Sequence, residues 1–397
     1  MKICIYAHSF PPIIGGAQTY QYNLAIGLGK LGHDVLVLTG EIPDSLKSKV
    51  KEFESKYFKI IKIQGFRESI KMKAPFRDVL IDSFTILNKF DPDIIYSNGY
   101  IPCLLISMIK DSLRAKHIFS YHSTPELDVN KLVGILPGNL KFELAIAKYI
   151  FKRWNFDAYL ACSNNYLNTV KNNIDAKVKN AHRIYYGVDM KKFSFEIKIN
   201  REKYGFNKND FIVLCPVRLI ERKGILDIIK AINILKKEIP NIKLLMPTSK
   251  LSTNDKFSQS VSTLIKKLKL KNNISMMVDE FTIKDMPKAY AISDIMVFPS
   301  YSEGLGIISL EAMSMKKPVI ATNIYGINEI VKHNKTGLLV DIKSPEQIVK
   351  SIKLLYNNKN LRDRLINNAY LMVQNKFELN RQVKKVEELF KKVYGKN

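Results

Sequence analysis

Two glutamates eight positions apart, Glu303 and Glu311, stand in Phe298-Pro-Ser-Tyr-Ser-Glu-Gly-Leu-Gly-Ile-Ile-Ser-Leu-Glu-Ala-Met313. The stretch lies between a predicted buried strand, Asp294 to Phe298, and a predicted amphipathic helix. Gly304 and Gly306 let backbone N–H groups turn toward a ligand, and a helix starting near Leu305 aims its partial positive end at the same spot. The spacing puts Glu311 about two turns into that helix, within reach of sugar hydroxyls lying along the helix start. Glycines, a helix N-terminus and two carboxylates suit a ligand that carries both phosphate and sugar. The plainer alternative is that one of the two caps a helix and the other is an exposed helical Glu.

Three further groups follow predicted strands. Gly15 and Gly16 come after the first strand and lead into a helix, where bare N–H groups can approach a phosphate or simply make a turn. Pro216-Val-Arg-Leu-Ile-Glu-Arg-Lys-Gly224 places Arg218 and Lys223 at the mouth of another strand, before a helix beginning near Gly224. Two cations there can neutralise a diphosphate, or remain solvated loop charges. His122 ends the strand before it and can donate a hydrogen bond to a substrate or exchange a proton with it, or serve only the fold. Asp91-Pro-Asp93 looks like a metal-binding acidic pair, but it lies in the turn that feeds a strand, at the wrong end of a sheet for ligand binding. A structural role is expected for it, and no other cluster suggests a metal.

These residues need elements to hold them. Short β-branched runs at Lys2 to Ala7, Asp34 to Leu38, Phe58 to Ile63, Asp93 to Ser97, His117 to Tyr121 and Ala158 to Cys162 predict strands. Ala17 to Leu31, Phe76 to Phe90, Tyr100 to Ser112, Asn139 to Arg153 and Asn164 to Asn172 predict helices between them. Near-continuous apolar strands separated by helices mean a parallel, doubly wound sheet. The pattern restarts after Phe193, with strands at Phe211 to Pro216, Ile242 to Met246, Ile274 to Val278, Asp294 to Phe298, Pro318 to Ala321 and Gly337 to Val340. Beyond Pro345 the chain reads as helical to about Val393. The expected division is residues 1–192, residues 193–376 and a final helical segment, 377–397, packing back toward the N-terminal domain. Ligands of such sheets bind beyond the carboxyl ends of the strands, where the candidate residues fall.

The 397 residues suffice for two cores, and 46% apolar with 25% charged residues is the composition of a folded globular chain. No apolar run reaches the ~20 residues a membrane-spanning helix needs, and the N-terminus reads as a strand, so a cytoplasmic protein is expected. Four cysteines lie singly in apolar stretches, as buried thiols do. The net charge of +26 favours anionic partners without choosing among them.

Taken together, the glycine pair, the strand-terminal histidine, the Arg and Lys pair and the spaced glutamates resemble glycosyltransferase family 4 (group 1), of the GT-B fold, over nearly the whole chain. The most specific parts are Pro299-Ser-Tyr-Ser-Glu-Gly-Leu-Gly-Ile-Ile-Ser-Leu-Glu-Ala-Met, Pro318-Val-Ile-Ala-Thr, Gly326 with Glu329-Ile-Val, and Thr336-Gly-Leu-Leu-Val. Tyr186-Gly-Val-Asp189 followed by Phe193 resembles the family's interdomain connection. The resemblance implies two facing Rossmann-like domains and retaining transfer of a sugar from a nucleotide diphosphate donor, with no metal or other cofactor required. It implies that Glu311 holds the donor ribose and Glu303 the donor sugar hydroxyls. Gly304, Leu305 and Gly306 would then offer backbone contacts, Arg218 and Lys223 the diphosphate, Gly16 with Gly15 the phosphate from the other domain, and His122 the transferred sugar. The implied acceptor is a glycan or a lipid-linked molecule, in cell-surface polysaccharide or glycolipid synthesis.

The sequence departs from the family's pattern in places. Lys316-Lys317 stand where relatives usually carry glycine in the turn before Pro318. Tyr325 stands where a first glycine usually precedes Gly326, and Val278-Asp-Glu-Phe281 lacks a usual glycine. Ile70-Lys-Met-Lys-Ala-Pro-Phe-Arg77 interleaves Lys71, Lys73 and Arg77 with Met72 and Phe76, which suits either docking on an anionic membrane surface or a solvated loop. A nucleotide-sugar 2-epimerase of the same fold is the enzyme alternative. A basic nucleic-acid-binding protein is the alternative of another class, but neither a one-faced charge cluster nor a readable module accompanies the charge, and no nucleic-acid partner is expected.

Overall fold

A computed structural model describes the chain apart from residues 14, 67–75, 122–155, 174–179, 248–250, 252–254, 278–280, 282–283 and 396–397. His122, the expected helix Asn139 to Arg153, Val278-Asp-Glu and most of the Ile70 to Arg77 patch lie outside the described residues. The chain forms two compact units, Met1–Gly187 with Leu379–Asn397, and Val188–Glu378.

In the first unit, β1 (Lys2–Ala7), β2 (Asp34–Gly40), β3 (Lys59–Ile63), β4 (Ile94–Asn98), β5 (Lys116–Tyr121), β6 (Ala158–Ala161) and β7 (Ala181–Arg183) lie in the order β3-β2-β1-β4-β5-β6-β7. Every described pairing in it is parallel. In the second, β8 (Phe211–Leu214), β9 (Ile242–Leu245), β10 (Ile274–Ser275), β11 (Ile295–Phe298), β12 (Val319–Thr322) and β13 (Leu338–Val340) run β10-β9-β8-β11-β12-β13, again parallel. The central strands are apolar because a doubly wound sheet buries both of its faces, and Ile3, Ile5, Tyr6, Val213, Leu214, Met296 and Val297 are fully buried. β7, whose residues are Ala-His-Arg, has no apolar run to announce it and exists through its pairing with β6.

Aspartates at strand starts recur as a device in both units. Asp93 Oδ2 accepts the Lys2 N–H at 2.7 Å, tying the start of β4 to β1. Asp157 Oδ2 does the same for His117 of β5 ahead of β6, and Asp294 Oδ2 for Ile212 of β8 ahead of β11, each at 2.7 Å. A charged acceptor on a backbone donor pins the register where the sheet begins. Asp93 of the Asp91-Pro-Asp93 pair thus belongs to the sheet's architecture.

The chain leaves the first unit at Gly187 and re-enters it at Leu379, near the expected 192/193 and 376/377. A Cβ on Gly187 would lie 2.5 Å from Leu379 Cα. The helix Leu379–Tyr394 then buries Val383, Val386, Leu389, Phe390 and Val393 within that unit. Phe390 packs on Tyr96 with ring centroids 5.4 Å apart, and Val383 fills the space beside Gly27. His33 Nε2 meets Glu387 Oε1 at 3.0 Å, and Lys391 reaches the same oxygen at 2.7 Å. Burial opposes the Glu387 charge, but the hydrogen bonds from Lys391 and His33 leave its pKa below the usual value.

The Lys316-Lys317 turn has a physical account. Lys316 adopts φ 52, the left-handed conformation a glycine would take without strain, and its ammonium lies 3.7 Å from the Phe195 ring centroid and 4.9 Å from that of Tyr370. Lys317 Nζ donates to Ser293 O at 2.7 Å and Ala291 O at 3.2 Å, at the end of the helix Met286–Ile292. Burial lowers its pKa to about 8. The four cysteines are free and buried, and no helix among the described residues is long and apolar enough to cross a membrane.

Candidate active site

The site of the second unit is assembled from the loops after β8, β11 and β12. After β8 the chain turns through Glu221–Lys223 to Gly224, whose φ of 67 starts the helix Ile225–Leu235. A Cβ on Gly224 would lie 2.0 Å from Pro299 O, so only glycine lets this turn close onto the loop after β11. The two loops are laced together. Tyr301 N–H donates to Arg222 O at 2.8 Å, Arg222 Nη1 to Ser302 O at 3.0 Å, and the Tyr301 hydroxyl to Asp227 Oδ2 at 2.7 Å.

Lys223 is thereby brought against Glu303, its Nζ donating to Glu303 Oε1, while Arg222 Nη1 stands 3.9 Å from the same oxygen. Burial lowers the Lys223 pKa, Glu303 opposes that shift, and Arg222 and Arg218 add to it. Arg218 is lowered by burial first and by Arg222 second, with Glu303 acting the other way. Three cations therefore share one carboxylate. An anion entering this cluster would find an excess of positive charge in a partly desolvated setting.

The helix expected near Leu305 begins at Ile307. Leu305 is itself buried, and Gly306 takes φ 79 as the residue preceding the helix Ile307–Ser314. Glu311 accordingly falls little more than one turn into the helix rather than two, because the left-handed Gly306 delays the first helical residue. Nor is Glu311 exposed; its residue is 8% accessible. The Tyr290 hydroxyl donates to Glu311 Oε2 at 2.8 Å. Burial raises the Glu311 pKa to about 7, against the lowering effects of the Tyr290 hydrogen bond and the Lys192 charge. A carboxyl held there is poised to ionise near neutral pH, with oxygens ready to accept hydroxyl protons.

The loop after β12 closes the arrangement. Gly326 has φ 83, and a Cβ there would lie 2.5 Å from Gly304 O and 2.9 Å from Glu303 O. The structure thus brings Lys223, Glu303, Gly304 and Gly326 together, with Arg218 within electrostatic reach and Glu311 on the following helix. Gly15 and Gly16 stand in the first unit at the start of the helix Gly16–Lys30, where Gly15 caps without a side-chain bond. Tyr290, Lys192, Arg222 and the Tyr301–Asp227 pair escaped sequence reading. Arg222 and Tyr301 lie inside the motifs already singled out, whereas Tyr290 is 21 positions from Glu311 and carries no local signal. Among the described residues no three His, Cys, Asp or Glu side chains converge as a metal site would require.

Residues 14–192 match Glycosyltransferase Family 4, and residues 196–372 match Glycosyl transferases group 1. An uncharacterized glycosyltransferase of Methanocaldococcus jannaschii is 25% identical over 98% of both chains. The capsular polysaccharide biosynthesis glycosyltransferase CapM of Staphylococcus aureus is 31% identical over 48% of this chain and 49% of its own. Among solved structures, that of Anabaena HepE in complex with UDP-glucose covers 99% of this chain and 100% of its own with a TM-score of 0.80, at 17% identity. Two parallel-sheet units, each the counterpart of one of two consecutive family matches, make this chain a member of the group 1, family 4 glycosyltransferases with the GT-B fold.

Proposed function

We propose that the chain moves a sugar, with retention of anomeric configuration, from a nucleotide diphosphate-sugar to a glycan or lipid-linked acceptor in cell-surface polysaccharide or glycolipid synthesis. The observation that carries this reading is the pairing of a cation cluster on Glu303 with a buried, hydroxyl-bound Glu311 one helix away. Glu311 accepts hydrogen bonds from the ribose hydroxyls of the donor. Glu303 accepts from hydroxyls of the sugar, and Lys223, with two protons beyond the one given to Glu303, shares them with the diphosphate alongside Arg218. As the bond from the anomeric carbon to the phosphate oxygen breaks, its electron pair stays with the diphosphate. The acceptor hydroxyl oxygen bonds to that carbon, and its proton goes to the departing phosphate oxygen. Fixed cations at the developing charge supply the stabilisation, so no metal is assigned to the step. The UDP-glucose complex of the Anabaena relative and the capsule-building role named for CapM support the donor and product classes.

A thermal-shift screen of UDP-, GDP- and TDP-sugars in the presence of EDTA tests the reading, followed by turnover of the best donor. The expected result is a shift with at least one donor, lost together with turnover in Glu311→Ala. A Glu311→Ala protein with unchanged donor affinity and rate would overturn it.

A further inference from the structure

Tyr325 stands on the turn between β12 and the short helix Ile327–Ile330, with 67% of its residue surface exposed. Met108, at 53%, is the next most open large apolar side chain among the described residues. Everything around Tyr325 is fixed. Asn323 N–H donates to Val340 O at 2.7 Å, Ile324 N–H to Thr322 O at 3.0 Å, and Asn328 N–H to Ile324 O at 3.0 Å. The Thr322 hydroxyl donates to Ser300 O, and Ile327 is fully buried. Gly326 in turn rests on the main chain of Glu303 and Gly304. A lone exposed aromatic is ordinary on a protein surface and signals nothing by itself. This one is displayed on a rigid turn laid against Glu303, so contact with a ligand costs it little ordering.

An aromatic ring with a polar tip offers an apolar face to a partner that is apolar on one side and polar at its edges. A hexopyranose is such a partner. One face carries axial C–H bonds, and the equatorial hydroxyls point outward to carboxylates and cations. We infer that Tyr325 is a specificity-determining residue whose ring is a platform for the C–H face of a hexopyranose bound beside Glu303. The inference rests on the nucleotide-sugar reading of the site. The sugar is either that of the donor or that of the acceptor, and both present the same chemistry to the ring.

Calorimetry with UDP and with UDP-glucose on wild type, Tyr325→Phe, Tyr325→Ala and Tyr325→Gly separates these outcomes. UDP reports the nucleotide half alone, and its affinity stays within about twofold in all four proteins. If the ring holds the donor sugar, the affinity gained by UDP-glucose over UDP falls about tenfold in the Ala and Gly variants, about 1.4 kcal/mol, and is kept in Phe. If it holds the acceptor sugar, that gain is unchanged. The saturation-transfer signal of methyl α-glucoside in the presence of UDP then disappears in Ala and Gly and survives in Phe. The inference is overturned if UDP binds every protein and neither quantity distinguishes Ala or Gly from wild type. If UDP and UDP-glucose do not bind wild type, the same measurements are made with the GDP or TDP pair that the thermal-shift screen selects, and failure of all three pairs defeats the nucleotide-sugar reading, and this inference with it.

Discussion

Glu311 is the residue at which burial and the proposed donor contact pull on the same proton. Its carboxyl titrates ordinarily at 4.5 and in the folded chain near 7, with burial the main cause. A raised pKa means that the folded state prefers the proton. The stability is therefore complete below about pH 4.5 and is lost as pH rises through about 7, by on the order of 3 kcal/mol. Glu311→Gln removes this dependence, so the variant gains melting temperature over wild type as the buffer moves from pH 5 to pH 8. A difference that stays constant across thermal melts at the two pH values would contradict the account. Donor affinity moves the opposite way in wild type, rising through neutral pH as the carboxylate forms, and stays flat and weak in the variant. As candidates, Glu303, Glu311 and Lys223 were legible because each lies in a short motif whose residue types suit phosphate and sugar. Tyr290 and Lys192 were not, because they reach Glu311 only after the sheet has folded.

At the scale of elements, apolar β-branched runs marked most strands, since a strand covered on both faces has no polar positions to blur the pattern. What failed were short or strained pieces. β7 has no hydrophobic signature, and the helix after Glu303 starts late because Gly306 is left-handed. The strand-start aspartates carry a prediction here. Asp93→Ala removes the acceptor of the Lys2 N–H and costs about 1–3 kcal/mol in chemical denaturation. Nucleotide-sugar affinity is expected to stay within about twofold, measured on the folded variant. A loss of affinity without loss of stability would instead give Asp93 a ligand-binding role.

At the scale of the molecule, two repeats of the strand-and-helix pattern predicted two sheets, and the net charge of +26 favoured anionic partners without choosing among them. The break in the first unit's sequence carries a large energetic weight. Val383, Val386, Leu389, Phe390 and Val393 are each buried, and each contributes about 1.5–3 kcal/mol relative to exposure. Their sum is comparable with the whole 5–15 kcal/mol stability of a typical domain. A chain ending at Glu378 is therefore expected to lose the first unit while Val188–Glu378 stays folded. Hydrogen exchange would read this as rapid labelling of β1, β2 and β4 with protection kept in β8, β11 and β12. Equal protection of both sheets would show that the helix is dispensable.

That last helix also sets an order of events during synthesis. Domains usually fold in the sequence in which they leave the ribosome. Here the unit that begins at Met1 lacks part of its core until residue 393 has emerged, whereas Val188–Glu378 is complete earlier. Of the two units, the one that starts translation earlier is thus the one finished later. Until Val383 and Phe390 emerge, the surface beside Tyr96 and Gly27 waits uncovered.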